Sequence, residues 1–251
     1  MTYSSAWFDG DPTQPLERAQ TAKLRRAIAA TGVRPGQRLL EIGCGWGAVA
    51  EAAAREGVDV VGLTLSKEQL AWAQARLARA GLSGHADLRL QDYRDVPDGP
   101  FDAIVSVEMF EAVGREYWDA YFRTVQRQLK PGGKACVQAI VIRDDLFERY
   151  ARSPDFIQRY VFPGGMLPSI ALFEQHACAA GLRVVERFAF GPDYAETLRR
   201  WRHAFLARLD EVRAQGFDER FIRLWEFYLA YCEAAFDAGN TDVIQFTLQR
   251  E

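Results

Sequence analysis

Cysteine, histidine and excess charge are all scarce in this sequence, and each shortage closes off a class of function. Four cysteines, Cys44, Cys136, Cys178 and Cys232, stand in 251 residues. They are widely spaced and form no Cys-x-x-Cys pair, so they argue against a structural zinc site and read as free thiols of a reducing compartment. His85, His176 and His203 fall in no ligand-like cluster and read as structural or surface residues, with no metal expected. The formal net charge is only -3, which removes general electrostatic support for a nucleic-acid partner. No apolar run reaches the roughly 20 residues that span a bilayer. The opening MTYSSAWFDGD lacks the basic and apolar regions of a signal peptide, so a cytoplasmic protein is expected, at most peripheral to a membrane. There is no low-complexity tract and no internal repeat.

What is present is an ordinary globular composition, 49% hydrophobic and 26% charged, in a length that suits one α/β domain with insertions. Helical spacing over 14–31 gives way to a break at Pro35-Gly36. Short, nearly all-apolar segments at 38–42, 58–63, 88–91, 101–107 and 134–142 then alternate with helical ones at 48–56, 67–80 and 116–129. Short apolar strands of this kind belong to a parallel sheet covered on both faces. The first 142 residues therefore predict a doubly wound α/β core, which binds ligands beyond the carboxyl ends of its strands. Residues 143–170, with aromatics, charges and the turn Phe162-Pro-Gly-Gly165, read as a substrate-facing lid. A helix near 170–180, a strand near 182–190 and helical stretches at 193–215 and 217–238 follow. A last strand at 241–249 is expected to join the sheet as its seventh member. The whole chain reads as one domain: a cofactor-binding core at 1–142, a helical cap at 143–240 and a final strand at 241–251.

The sharpest local signal is Glu41-Ile-Gly43-Cys-Gly45-Trp-Gly47, between a buried strand and a helix. Glycines allow close backbone approach and sharp turning, and the helix start offers free N–H groups that suit a carboxylate. Glu41 at the strand end can accept hydrogen bonds from an amine, so a zwitterionic amino-acid tail fits both features. The rival is a dinucleotide site, which favours the Gly-x-Gly-x-x-Gly spacing, whereas position 48 here is Ala. At the second strand end Thr64 and Gln69 can hydrogen-bond a ribose or the amino-acid tail, while Ser66 serves equally well as a plain helix cap. At the third, Asp92 can pair an adenine amino group and Tyr93 can cover the ring, or Asp92 and Asp95 are turn residues only.

Taken together, an ordered set of motifs resembles the cyclopropane fatty acid and mycolic acid cyclopropane synthases, nearly end to end. The set comprises Tyr3-Ser4-Ser5-Ala6-Trp7-Phe8, Ala19-Gln20-x-x-Lys23, the Glu41 to Gly47 loop and Gly62-Leu-Thr-Leu-Ser-Lys-Glu-Gln69. It continues with Ser106-Val-Glu-Met-Phe-Glu111-Ala-Val-Gly114, Tyr160-Val-Phe-Pro-Gly-Gly-Met-Leu-Pro-Ser169, Trp225-x-x-Tyr228-Leu-x-x-Cys232-x-x-x-Phe236 and Asp242-Val-Ile-Gln-Phe246. Larger bacterial members carry an additional amino-terminal domain that these residues do not include. The resemblance implies a Rossmann-like, mostly parallel seven-stranded methyltransferase sheet with an inserted helical cap. It implies S-adenosylmethionine as methyl donor and the double bond of an unsaturated phospholipid acyl chain, taken at the membrane surface, as nucleophile. It also implies a bicarbonate ion as the base that takes a proton from the methylated cation. Tyr3 and Ser4 match the segment that covers the cofactor, and Glu111 and Tyr228 match positions that hold the bicarbonate. Phe110, Trp7 and Tyr228 are the candidate cation-facing aromatics.

Three positions depart from the family pattern. Ser5 stands where many members have cysteine, Ala112 where many have histidine, and Gln138 where histidine is common. Ser5 and Gln138 can still donate hydrogen bonds, but the fate of the cation stays open between ring closure and methyl branching. Branching calls for a partner oxidoreductase to reduce a methylated alkene. Taken singly, Glu111 reads as a solvated acid at a helix start, and Tyr228 and Trp225 read as the core face of an amphipathic helix. The motif set as a whole favours the catalytic reading. Methyl transfer to a small amine is the alternative, since some plant alkaloid N-methyltransferases share these motifs. A cofactor-binding protein with a dead site is a third reading, and a homodimer is left open.

Overall fold

The computed structural model describes residues 2–251. After α1 (Leu16–Thr31) the chain runs β1 (Arg38–Ile42), α2 (Ala48–Arg55), β2 (Asp59–Thr64), α3 (Lys67–Arg79), β3 (Ala86–Leu90), β4 (Phe101–Val107), α4 (Trp118–Gln128) and β5 (Leu129–Ile142). The cap follows as α5 (Asp144–Arg152), α6 (Phe156–Tyr160) and α7 (Ile170–Ala179), then β6 (Leu182–Ala189), α8 (Gly191–Leu206), α9 (Leu209–Ala214), α10 (Glu219–Asp237) and β7 (Thr241–Arg250). The expected helical stretch at 193–215 is thus two helices, broken at Ala207-Arg208.

The seven strands lie in the order β3-β2-β1-β4-β5-β7-β6. The first five pair in parallel, while β7 pairs antiparallel with both β5 and β6. Strand alternation divides the core between the two faces. Leu40, Ile42, Ile104 and Val137 pack toward α4 and α7, whereas Leu39, Val60, Val105 and Cys136 pack toward α1, α2 and α3. The last strand is no edge: Val243 to Leu248 is buried without a break, because β7 has a neighbour on either side and helices over both faces.

Helix starts follow capping chemistry. Ser66 accepts from the Gln69 N–H, Asp218 from that of Phe221, and Asp155 forms a reciprocal box with Gln158. A third apolar cluster, built from Tyr194, Leu198, Tyr228, Leu229 and Phe236, joins α8 to α10 and lays both against Val243 of the sheet. The strand order reverses between β1 and β4.

Candidate active site

A cavity of about 720 Å³ opens beyond the carboxyl ends of β1, β2, β3 and β4, at the point where the strand order reverses. The glycine turn after β1 forms its floor. Gly43 and Gly47 have φ of 82° and 77°, values that L side chains rarely adopt. A Cβ on Gly43 would sit 2.8 Å from Met109 Cγ, and one on Gly47 would sit 2.8 Å from Ala73 Cβ. The turn therefore needs glycine for both conformation and space. It ends on α2, whose first residue is preceded by Gly47 with no side-chain cap. The Ala50 N–H turns to Glu41, and those of Ala48 and Val49, both on the cavity wall, are left for whatever enters it.

Glu41 is 3% exposed, and its Oε2 has no hydrogen-bond partner. Burial pushes its carboxyl well above the usual range, against the pull of the Ala50 N–H and of Lys23. A buried acceptor left unsatisfied at a cavity wall is suited to a ligand donor. Thr64 donates to Gln69 Oε1 at 2.9 Å, and Ser66 caps α3, so the second strand end presents Thr64 and Gln69 as a pair. Asp92 is gripped by Arg94 at 2.7 Å, which holds its carboxyl below the usual range. Tyr93 stands edge-on to Tyr121 with ring centroids 5.6 Å apart.

The amino-terminal segment lies across the cavity as a strap. Its polar groups are tied to three helices. Gln20 of α1 donates to the Ser4 carbonyl at 2.8 Å, and Lys23 donates to the Ser4 hydroxyl. Thr197 of α8 receives the Ala6 N–H at 3.1 Å, and Asp193 receives the Phe8 N–H at 2.9 Å. Tyr3 stacks on Trp201 at 5.7 Å, and its hydroxyl meets that of Tyr228 on α10 at 3.2 Å.

Two acids sit at the end of β4. Glu111, in the short turn after the strand, accepts the Ile140 N–H, while its Oε2 has no partner. Burial, reinforced by the neighbouring charge of Glu108, lifts its carboxyl to about 8. Glu108 faces the cavity and accepts from Ser5 N–H at 2.9 Å, Gln138 Nε2 at 2.6 Å and the Tyr194 hydroxyl at 2.6 Å.

The ten residues expected to hold the cofactor, Tyr3, Ser4, Glu41, Gly43, Gly45, Gly47, Thr64, Gln69, Asp92 and Tyr93, all come together here, every one except Gly47 on the cavity wall. Of the four expected catalytic residues, Glu111 lies in the turn after β4 with an unpartnered Oε2 and Tyr228 meets Tyr3, while Ser5 and Gln138 are placed differently from the sequence reading. Ser5 and Gln138 do not offer donors to an open anion site: the Ser5 hydroxyl is turned to the Ala6 carbonyl, and both residues are committed to Glu108. Phe110 is not cation-facing. It is fully buried among Trp118, Tyr121, Phe122 and Phe173, because the turn after β4 rotates it under the sheet. The sequence reading holds Glu108 and Lys23 only as members of family motifs, with no role, and does not name Tyr194. An acid at a strand end of a doubly wound sheet was the signal available for the first.

The family model described as mycolic acid cyclopropane synthetase matches residues 1–246. The chain belongs to that family. Among family members, it is 44% identical over 258 residues to "Tuberculostearic acid methyltransferase UfaA1" of Mycobacterium tuberculosis, matching 100% of this chain and 60% of the relative. It is 40% identical over 253 residues to the cyclopropane-fatty-acyl-phospholipid synthase of Escherichia coli K12, again over 100% of this chain and 62% of the relative. The chain thus spans about three fifths of the length of these family members. The crystal structure of mycolic acid cyclopropane synthase CmaA1 complexed with SAH and CTAB superposes with a TM-score of 0.92 at 36% identity, covering 99% of this chain and 90% of that one.

Proposed function

We propose that this chain transfers a methyl group from S-adenosylmethionine to the double bond of an unsaturated phospholipid acyl chain, giving a cyclopropane or a methylated chain. One observation carries the reading: a glycine turn and an unsatisfied buried Glu41 share a single cavity with Glu108, beside which Glu111 keeps an unpartnered carboxyl oxygen. The first half suits the donor and the second suits alkene alkylation. Family membership supports the same assignment.

When bound, S-adenosylmethionine supplies an electrophilic methyl group on a sulfonium. Glu41 accepts from the ammonium of the amino-acid tail, and the start of α2 receives its carboxylate. Thr64 and Gln69 hold the ribose, while Asp92 and Tyr93 take the adenine. Tyr3 and Ser4 close over the donor through the strap. The alkene must lie behind the methyl group, which is catalysis by positioning. The cation that results needs walls that exclude water. Tyr228 is suited to this, with its ring 5.0 Å from Trp225 and 6.0 Å from Phe162. Glu111 and Tyr228 enclose the reacting carbons, and Ser5 and Gln138 act by orienting Glu108.

The cap also carries a surface suited to an anionic phospholipid bilayer. Arg220, Arg223, Phe227 and Tyr231 share one exposed face of α10 at helical spacing. Phe156 of α6 packs edge-on against Phe227 at 4.7 Å, bringing Arg159 and the 60% exposed Tyr160 to the same side. Exposed aromatics with arginines among them are what an interfacial contact with acidic lipid requires. No helix among the described residues is long and apolar enough to cross a membrane.

The test is incubation with methyl-labelled S-adenosylmethionine and vesicles of unsaturated phospholipid, followed by mass spectrometry of the released fatty acids. A gain of one methylene with loss of the alkene marks a ring, and retained unsaturation marks methylation without closure. Label in small amines and none in lipid would replace this reading with N-methylation.

A further inference from the structure

The end of β4 delivers Glu108 into the cavity at some conformational expense. Its φ is 49°, a left-handed value that costs a non-glycine residue about 1–3 kcal/mol. Pairing of its N–H with the Gln138 carbonyl at 2.8 Å holds the backbone there. The side chain then meets three donors from three separate parts of the chain. Oε1 accepts from the Ser5 N–H of the strap and from Gln138 Nε2 of β5, and Oε2 accepts from the Tyr194 hydroxyl of α8. The ammonium of Lys23 adds attraction from α1.

A free bicarbonate would draw on this same polar ring. Its donors are occupied by Glu108, and a second anion beside it would face the carboxyl of Glu111 as well. The residues present therefore do not fit a separate bicarbonate; they fit one carboxylate that is already part of the chain. We propose that Glu108 is the base of this site and that turnover requires no bicarbonate. The proposal rests on the methyl-transfer reading above.

In that step the alkene electron pair forms a carbon–carbon bond to the donor methyl as the sulfur–methyl bond breaks, leaving a neutral thioether and a cation on the acyl chain. A C–H bond, of the new methyl group for ring closure or of a chain carbon beside the cationic one for an alkene, then gives its proton to Glu108. Its electron pair closes the ring, or forms a new double bond if the proton comes from the chain. Oε2, with one donor against two on Oε1, has the freer lone pair. Burial raises the carboxyl above its usual range, which makes it a stronger acceptor than a solvated carboxylate. A tethered base also needs no capture from solution.

The experiment compares wild type, Glu108→Gln and Glu108→Gly with labelled donor and unsaturated phospholipid vesicles, in buffer stripped of carbon dioxide and in the same buffer with bicarbonate. Donor binding by calorimetry checks that each variant is folded. Glycine adopts a positive φ freely, so Glu108→Gly vacates the donors without straining the turn. The expected wild-type rate is the same in both buffers. Glu108→Gln is expected to lose at least about 100-fold in either buffer. Glu108→Gly should be equally slow without bicarbonate and recover in part with it, as Ser5, Gln138 and Tyr194 become free to hold an external anion. Wild type that labels lipid only when bicarbonate is added, or Glu108→Gln at the wild-type rate, overturns this inference alone. Wild type that labels no lipid in either buffer overturns the proposed function and this inference with it.

Discussion

Glu111→Gln should make the protein more stable and less active. In the unfolded chain the Glu111 carboxyl loses its proton near its ordinary value of 4.5, whereas the folded site holds that proton up to about 8. Between those values the folded state binds a proton that the unfolded state has released. Stability is then complete at acid pH and falls as pH rises, by about 1.4 kcal/mol for each pH unit within the window. By pH 7 the accumulated loss is at most about 3 kcal/mol, and the partial openness of the site reduces it to about 1–3 kcal/mol. Glutamine has nearly the same shape, still accepts the Ile140 N–H, and has no proton to lose. Urea unfolding at a series of pH values from about 5 to about 8 should show the variant gaining on wild type as pH rises, with unchanged m-values. A buried carboxyl that weakens the fold at neutral pH is expected to be kept for its chemistry. Turnover should therefore fall by at least about tenfold, while donor affinity is preserved. A stability difference that stays flat with pH, or a variant weaker than wild type at pH 7, would refute the argument that Glu111 is held neutral in the fold.

Gly47→Ala places a methyl against Ala73 Cβ at 2.8 Å and Cα at 3.2 Å, at a φ of 77°; a loss of about 1–3 kcal/mol in stability is expected by thermal or urea unfolding. Gln20→Ala removes the bond that ties the Ser4 carbonyl to α1. At about 1 kcal/mol for such a bond, donor affinity measured by calorimetry should weaken by about fivefold. Exchanging Phe227 for Ser together with Arg220 and Arg223 for Glu should abolish cosedimentation with anionic vesicles, while leaving turnover on detergent-dispersed lipid near the wild-type value. Equal cosedimentation of this variant and wild type would remove α10 from the membrane contact.

The parallel half of the fold was legible because its signals are local. Each of the five strands at 38–42, 58–63, 88–91, 101–107 and 134–142 is a short apolar run beside a turn or a helix cap, and the structure places a strand at each. The glycine turn was legible for the same reason: close approach and positive φ leave a mark on the sequence itself. The helical cap was read less well. The break between α8 and α9 has no proline or glycine, and only the packing of α8 on α10 determines where the first helix stops being useful.

The ring of donors around Glu108 was not legible because no local pattern encodes it. Glu108 and Tyr194 are 86 residues apart in sequence, yet their oxygens lie 2.6 Å apart. That meeting depends on β7 entering the sheet between β5 and β6, which lays α8 beside the end of β4. Ser5 reaches the same carboxylate only because Gln20, Lys23, Thr197 and Asp193 hold the strap in place. From sequence, Ser5 and Gln138 read as weakened versions of groups that would surround an external ion. In space they are two of the donors around an internal carboxylate, so the same substitutions that look like losses become parts of a different solution. A departure from a family pattern is thus best judged by the atom it ends up facing. Here Ser5, Gln138 and Tyr194 all face Glu108.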